Sequence, residues 1–382
     1  MQIPSGWQLL PTEGQSLLMR IAFYAPLKSP NHPVPSGDRQ MARLLIAALE
    51  LAGHSVDLAS ELRSFTATPE DSRRGEIAAA AAQEVERLAR RSEQRPDVWL
   101  SYHPYYKAPD LIGPRVAAAL NIPYVTAEAS FSHRRDKSGW AALQSLVADA
   151  VRQADVNLCF TERDRQGLAA AIPEARLERL FPFIDVAPFK MSKAQREPRK
   201  LMTIAMMRSG DKLESYRILA DALMAIEDEH WTLTIIGDGP AASETRALFS
   251  KFKPERIEWL GEQSPAVIRS VLQQASVYVW PGVGEAYGIA YMEAQAAGVP
   301  VVAQAVAGVP EVVKDGETGI LTPAGDTQAY ARAIATLLDD EARRTRMGSE
   351  AHRFIAQERS HEGASVRLDQ ILRQYLGQHN GN

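Results

Sequence analysis

The sequence predicts an α/β protein of two domains, each a parallel sheet covered by helices on both faces. Three observations carry this. Strand-like apolar runs alternate with helix-patterned stretches along the whole chain. The alternation breaks once, at FPFIDVAPFKMSKAQREPRK (181–200), where three prolines and a group of basic residues mark a linker. The length of 382 residues also exceeds what one ordinary core holds. Strand, loop, helix and strand in this order suit the right-handed crossovers that parallel sheets prefer.

Taken in order, MRIAFYAP (19–26) reads as the first strand and SPNHPVPSGD (29–38) as a loop. A helix over 39–52 stops at Gly53, a good C-terminal cap. Strand HSVDLAS (54–60) precedes an Ala/Glu/Arg-rich helix over 72–94. Strand DVWLSYH (97–103), helix 109–120, strand IPYVTAE (122–128), helix 139–153 and strand VNLCF (156–160) complete the first half. After the linker come strands at 201–207, 232–237, 256–261, 276–281 and 299–304. Helices at 213–227, 241–252, 265–274 and 287–297 separate them, and three more at 327–338, 340–356 and 361–376 close the chain. The expected division is a flexible N-terminal arm (1–18), a first domain (19–186), a second domain (187–360) and a terminal segment (361–382). The arm is polar and rich in Pro, Gly and Ser, and Met19 is a second candidate start.

Composition narrows the function. A net charge of −4 gives no reason to expect nucleic acid. The single cysteine, Cys159, lies in an apolar strand and reads as a buried structural thiol. Eight scattered histidines show no metal-ligand spacing, so no metal is expected. No apolar run approaches the ~18–20 residues that span a bilayer, and no basic-then-apolar leader opens the chain. The cytoplasm is the expected location, and a peripheral contact with the inner face of the membrane stays open.

The richest stretch is Pro281–Gly298, PGVGEAYGIAYMEAQAAG. Glu285 and Glu293 stand eight residues apart, a little over two helical turns, with Tyr287 and Gly288 where loop gives way to helix. Free N–H groups at Tyr287, Gly288 and Ile289 favour an anion at the helix start. Two carboxylates repel phosphate but suit hydroxyls, as a sugar and a ribose supply. A second segment, MRSGDK (207–212), follows a strand, and its Arg208 and Lys212 suit a pyrophosphate. A third, PVPSGD (33–38), offers Gly37 for close backbone approach; Asp38 and Arg39 equally suit capping and charging of the helix start. His103 ends strand DVWLSYH at the carboxyl end of a sheet, where such folds bind ligands. Gly261, after RIEWL, leaves room for a nucleobase against backbone. Asp238 and Gly239 read as an architectural turn, and His133, Arg134, Arg135 and Lys137 as a solvated basic loop or a surface for an anionic acceptor.

These segments resemble the family 4 retaining glycosyltransferases of the GT-B fold. EAYGIAYME is similar to the family's E-x7-E motif, and AQAAGVPVVAQAVAGVPEVVKDGETGILTPAGD to the segment that follows it. IIGDGP and IEWLG match its strand-end turns, over about 201–326; the first half matches more loosely, through SGD, LELAGHSVDLAS and His103. Arg208 and Lys212 sit where the family's diphosphate-binding pair belongs, one residue closer together than its usual spacing. The resemblance implies two Rossmann-like domains facing each other across a cleft, with the last helix crossing back to the first domain. It implies a UDP- or GDP-linked sugar as donor, no cofactor, no metal and retention of configuration. Glu285 would bond donor-sugar hydroxyls, the 287–289 backbone the sugar and phosphate, and Glu293 the ribose. Arg208 and Lys212 would stabilise the leaving diphosphate. The partners are then a nucleotide sugar and an acceptor whose identity the sequence leaves open. A sugar-nucleotide epimerase, a phosphorylase, a two-lobed solute-binding protein and a non-catalytic nucleotide-sugar binder are the alternatives.

Overall fold

A computed structural model describes residues 18–90, 95–189 and 196–379, with side chains to 375. Residues 1–17 of the expected arm, the end of the helix predicted over 72–94 and part of the linker lie outside the described residues. The first sheet holds β1 (Arg20–Tyr24), β2 (Ser55–Ser60), β3 (Val98–Tyr102), β4 (Tyr124–Ala127), β5 (Val156–Cys159) and β6 (Leu177–Arg179). Its helices are α1 (Gly37–Leu51), α2 (Arg74–Ala89), α3 (Gly113–Leu120), α4 (Ala141–Gln153) and α5 (Glu162–Ala171). The second sheet holds β7 (Lys200–Ile204), β8 (Thr232–Ile236), β9 (Ile257–Gly261), β10 (Val277–Val279), β11 (Val301–Gln304) and β12 (Gly319–Thr322). With it come α6 (Asp211–Met224), α7 (Ala242–Leu248), α8 (Pro265–Gln274), α9 (Ile289–Ala296), α10 (Thr327–Asp339), α11 (Glu341–Glu358) and α12 (His361–His379).

Both sheets are parallel, in the orders β2-β1-β3-β4-β5-β6 and β12-β11-β10-β7-β8-β9. Strands such as β3 and β11 are buried on both faces, which is why they read as unbroken apolar runs rather than alternating ones. In each sheet the chain order reverses direction at one pair of neighbours, β1 with β3 and β7 with β10. Helices leave opposite faces there, and a crevice opens beyond the carboxyl ends. The segments 33–38, 207–212 and 281–298 and His103 each follow one of these four strands, whereas Asp238–Gly239 and the 133–137 loop follow β8 and β4, and Gly261 ends β9.

The structure adds three elements the sequence reading lacks. α5 is strongly polar, β6 has three half-buried residues, and β12 is four residues beside a turn. None carries enough apolar periodicity to announce itself. The helix expected over 109–120 begins only at Gly113, because the buried Asp110 carboxylate accepts the N–H groups of Ile112 (2.9 Å) and Gly113 (2.7 Å). At the far end, α12 lies against the first sheet's layer: Asp369 meets His54 at 3.1 Å, and Glu178 accepts from Arg367 (2.6 Å) and Tyr375 (3.1 Å). Among the described residues no helix is long and apolar enough to cross a membrane.

Candidate active site in the interdomain cleft

The second domain's wall is built from the loops after β7 and β10. Gly284, in the left-handed region at φ +68°, lets the 282–285 loop lie on the first turn of α6; a Cβ there would come 2.2 Å from Asp211 Oδ2. Ser215 Oγ accepts the Val283 N–H at 3.0 Å, fixing the same contact. The docking brings Lys212 onto Glu285 in an ion pair, and Trp280 Nε1 donates to the same carboxylate oxygen at 3.0 Å. Lys212 also lies 5.5 Å from the Trp280 ring centre, so its ammonium is held from two sides. Arg208 is exposed at the end of the β7 loop.

Helix α9 starts at Ile289 rather than near Tyr287, because Gly288 takes φ +82° as its N-cap. The Tyr291 ring fills the space where a side chain on Gly288 would sit, 2.5 Å from a built Cβ. Tyr287 and Ile289 turn inward and are buried. Glu293 is half-buried one turn into the helix, and burial raises its pKa. Gln40 of α1 donates to it at 2.8 Å across the cleft.

The first domain's wall is built from the loops after β1, β3 and β4. Ser36 Oγ caps α1 by accepting the Arg39 N–H at 3.3 Å, which settles the cap and leaves Asp38 for another use. Asp38 Oδ1 lies 3.0 Å from His103 Nδ1. His103 sits in the left-handed region at φ +59°, and Glu128, at the end of β4, at φ +56°. Neither is glycine, so both positions hold backbone strain to aim a side chain. Tyr287 donates to Glu128 at 3.3 Å, joining the two walls at the floor of the cleft.

Charge in this cluster is strongly coupled. Burial opposes a charged His103, but Glu128 and then Asp38 outweigh it and raise its pKa to about 9. Burial pushes Glu128 up to about 7 against the pull of His103. Burial also works upward on Asp38, yet the His103 hydrogen bond and charge hold it below its ordinary value. Lys28, on the loop after β1, is only 8% exposed. Burial and then the neighbouring Arg208 lower its pKa, while Asp38 works the other way.

The structure therefore gathers Glu285, Lys212, Tyr287, Gly288, Ile289, Glu293, Gly37, His103 and Arg208 around one cleft. A Cβ on Gly37 would come 4.0 Å from Ile289 Cδ1, so this glycine faces the start of α9. Gly261 stands apart at the end of the edge strand β9, in open space at φ +66°, where its carbonyl accepts the Gly237 N–H at 2.8 Å. Sequence reasoning missed Lys28, Glu128, Gln40 and Trp280. Lys28 and Glu128 each follow a strand of the first sheet, as His103 does, and position alone was the available signal. Gln40 and Trp280 carry none.

Comparison with known proteins agrees with this architecture. Sucrose-phosphate synthase from Thermosynechococcus elongatus superposes with a TM-score of 0.74 at 18% identity, covering 94% of this chain and 100% of that one. Anabaena HepE, solved in complex with UDP-glucose, superposes with a TM-score of 0.69 at 18% identity, covering 93% and 100%. The chain has the GT-B fold. Residues 198–340 of this GT-B protein match the family model for glycosyl transferases group 1. A D-inositol 3-phosphate glycosyltransferase of Corynebacterium glutamicum is 29% identical over 199 residues, 50% of this chain and 48% of that one. Its counterpart in Streptomyces avermitilis is 30% identical over 232 residues, 56% and 48%. The matched stretch spans about half the length of these curated relatives.

Proposed function

We propose that this chain moves a sugar from a nucleoside-diphosphate sugar to an acceptor, with retention of configuration, as a family 4 type glycosyltransferase. One observation carries the reading: Glu285, fixed by Lys212 and Trp280, shares one segment with Tyr287 and Glu293, which meet Glu128 and Gln40 of the wall that bears His103 and Asp38. Relatives that carry sugar-transferase names and a structural neighbour holding UDP-glucose support the class.

In this reading the two glutamates serve hydroxyls. Glu285, already charge-paired, accepts from the donor sugar; Glu293 exchanges its Gln40 bond for the ribose. Arg208 and Lys212, with Lys28 opposite, lower the energy of the leaving diphosphate as charge develops on it. His103, positive well above neutral pH, donates rather than abstracts, so it steadies a sugar or acceptor hydroxyl. The acceptor then attacks from the face the diphosphate leaves, with no covalent nucleophile and no metal. Closure of the two walls excludes water.

The test is nucleotide release by the full chain on a panel of UDP- and GDP-sugars with mixed sugar acceptors. Release that requires both donor and acceptor supports transfer. Release without any acceptor dependence, or binding with no release, favours the epimerase or the non-catalytic binder instead.

A further inference from the structure

The basic loop at 133–137 lies between β4 and α4 of the first domain. It is a short turn, His133–Arg135, and it brings Arg135 over the ring of Tyr106, 4.4 Å from its centre. Lys107 approaches the same ring at 5.9 Å and the Trp140 ring at 5.5 Å. Two cations thus share one aromatic corner. The rings attract each of them, but the cations repel one another. Among the described residues neither side chain meets a carboxylate. The loop's own acid, Asp136, is taken by His133 (3.1 Å) and Gln144 (2.6 Å).

This corner is connected to the reaction centre. Trp140 and Tyr106 lie 5.1 Å apart between ring centres, Tyr106 and Tyr105 5.2 Å, and Tyr105 and His103 5.2 Å. His103 in turn is bound to Asp38 in the cleft. Tyr105 and Tyr106 are half-buried and present surface between His103 and the two cations, while Trp140 beneath them is buried.

We propose that Lys107 and Arg135 form a subsite for an anionic group on the acceptor, a phosphate or a carboxylate. The sugar skeleton of that acceptor lies along Tyr105 and Tyr106 with its hydroxyl at His103. An anion between the two cations relieves their repulsion, and the planar guanidinium suits two oxygens at once. The proposal rests on the transferase reading above and names the acceptor class for the same cleft.

The experiment compares mono- and disaccharides supplied as neutral sugars, as sugar phosphates and as uronic acids. Nucleotide release is read in the parent and in K107Q/R135Q. The parent should favour an anionic series over its neutral counterpart by about tenfold in kcat/KM, the scale of one charge-assisted bond. The double variant should lose that preference with UDP affinity unchanged, and K107R/R135K should keep it. The sugar phosphate and uronic acid arms tell phosphate from carboxylate. Equal use of neutral and anionic acceptors by the parent, or a preference that survives in K107Q/R135Q, overturns the proposal. A second arm titrates inorganic phosphate by calorimetry with and without UDP. About tenfold weaker binding by the double variant supports the subsite, and equal binding overturns it even if no acceptor is used. UDP binding in the same titrations judges the transferase reading separately.

Discussion

The two walls of the cleft solve the same problem in opposite ways. The second domain's wall turns its chain on glycine: Gly284 and Gly288 take positive φ at no steric cost, and the functional side chains come from neighbours such as Glu285 and Lys212. The first domain's wall puts the strained conformation on the functional residues themselves, His103 and Glu128. Its charges are also coupled, with Glu128 and Lys28 buried and His103 and Asp38 half-buried, where those of Arg208 and Lys212 are exposed or half-exposed. On the proposed reading, the difference teaches that a nucleotide grip can be written in glycines and spacing. On the same reading, the groups turned toward the acceptor are held by local strain and mutual charge instead.

Breaking each wall should therefore give different signatures. The largest effect is expected for Glu285→Gln, which removes the charge that orders Lys212. Sugar transfer should fall by about 10²–10³, the scale of one electrostatic group in a closed site, with nucleotide affinity nearly kept. Steady-state rates at saturating donor check this. His103→Asn keeps a residue that tolerates the left-handed region, so the fold survives while transfer falls by about 10². If His103→Asn melted early instead, the residue's role would be structural.

Gly288→Ala should show a stability loss rather than a chemical one. It forces an L side chain to positive φ against the Tyr291 ring, a cost of about 1–3 kcal/mol readable by urea unfolding. The first wall should instead respond to pH. His103 is raised from 6.5 to about 9. Its contribution is therefore fully present below pH 6.5 and is lost as pH rises through 9. Glu128 is raised from 4.5 to about 7, so the folded state also holds this proton more tightly, and stability falls from pH 4.5 through 7. Both slopes have the same sign. Melting temperature measured across pH 5–9 should decline, and His103→Asn should flatten the upper part of that decline. The smallest effect belongs to Gln40→Ala, which frees Glu293 from its bond across the cleft. Nucleotide affinity should rise by a few-fold at most, about the net worth of one hydrogen bond. A loss of affinity would show that Gln40 itself helps to hold the ligand.

The same contrast explains what could be read from the sequence. Parallel strands buried on both faces give long apolar runs, so most of both sheets was visible, and the break at 181–200 marked where one pattern ended and the next began. β6 and β12 were not visible, because three or four residues are too few to show a period. In the second domain, Glu285 and Glu293 share one short segment and Arg208 and Lys212 another, each legible from its spacing, and the pairing of β7 with β10 brings the two segments together. In the first domain, Lys28, Asp38, His103 and Glu128 come from three different strand ends. Only the order β2-β1-β3-β4 brings them together. Asp38 looked like a helix cap until Ser36 was seen in that place. The start of α9 shifted by two residues because Gly288 is a cap and not a first turn.

The most direct test of the account is nucleotide binding by the second domain's wall. Thermal unfolding of the full chain should be followed with UDP, GDP and their sugars, for the parent, Glu293→Ala and Arg208→Ala. The account predicts that one nucleotide series stabilises the parent by a few kcal/mol at concentrations well above its Kd, and that both variants lose most of that gain. If no nucleotide shifts the parent, or if both variants respond as the parent does, the cleft is not a nucleotide-sugar site and the transferase reading falls with it.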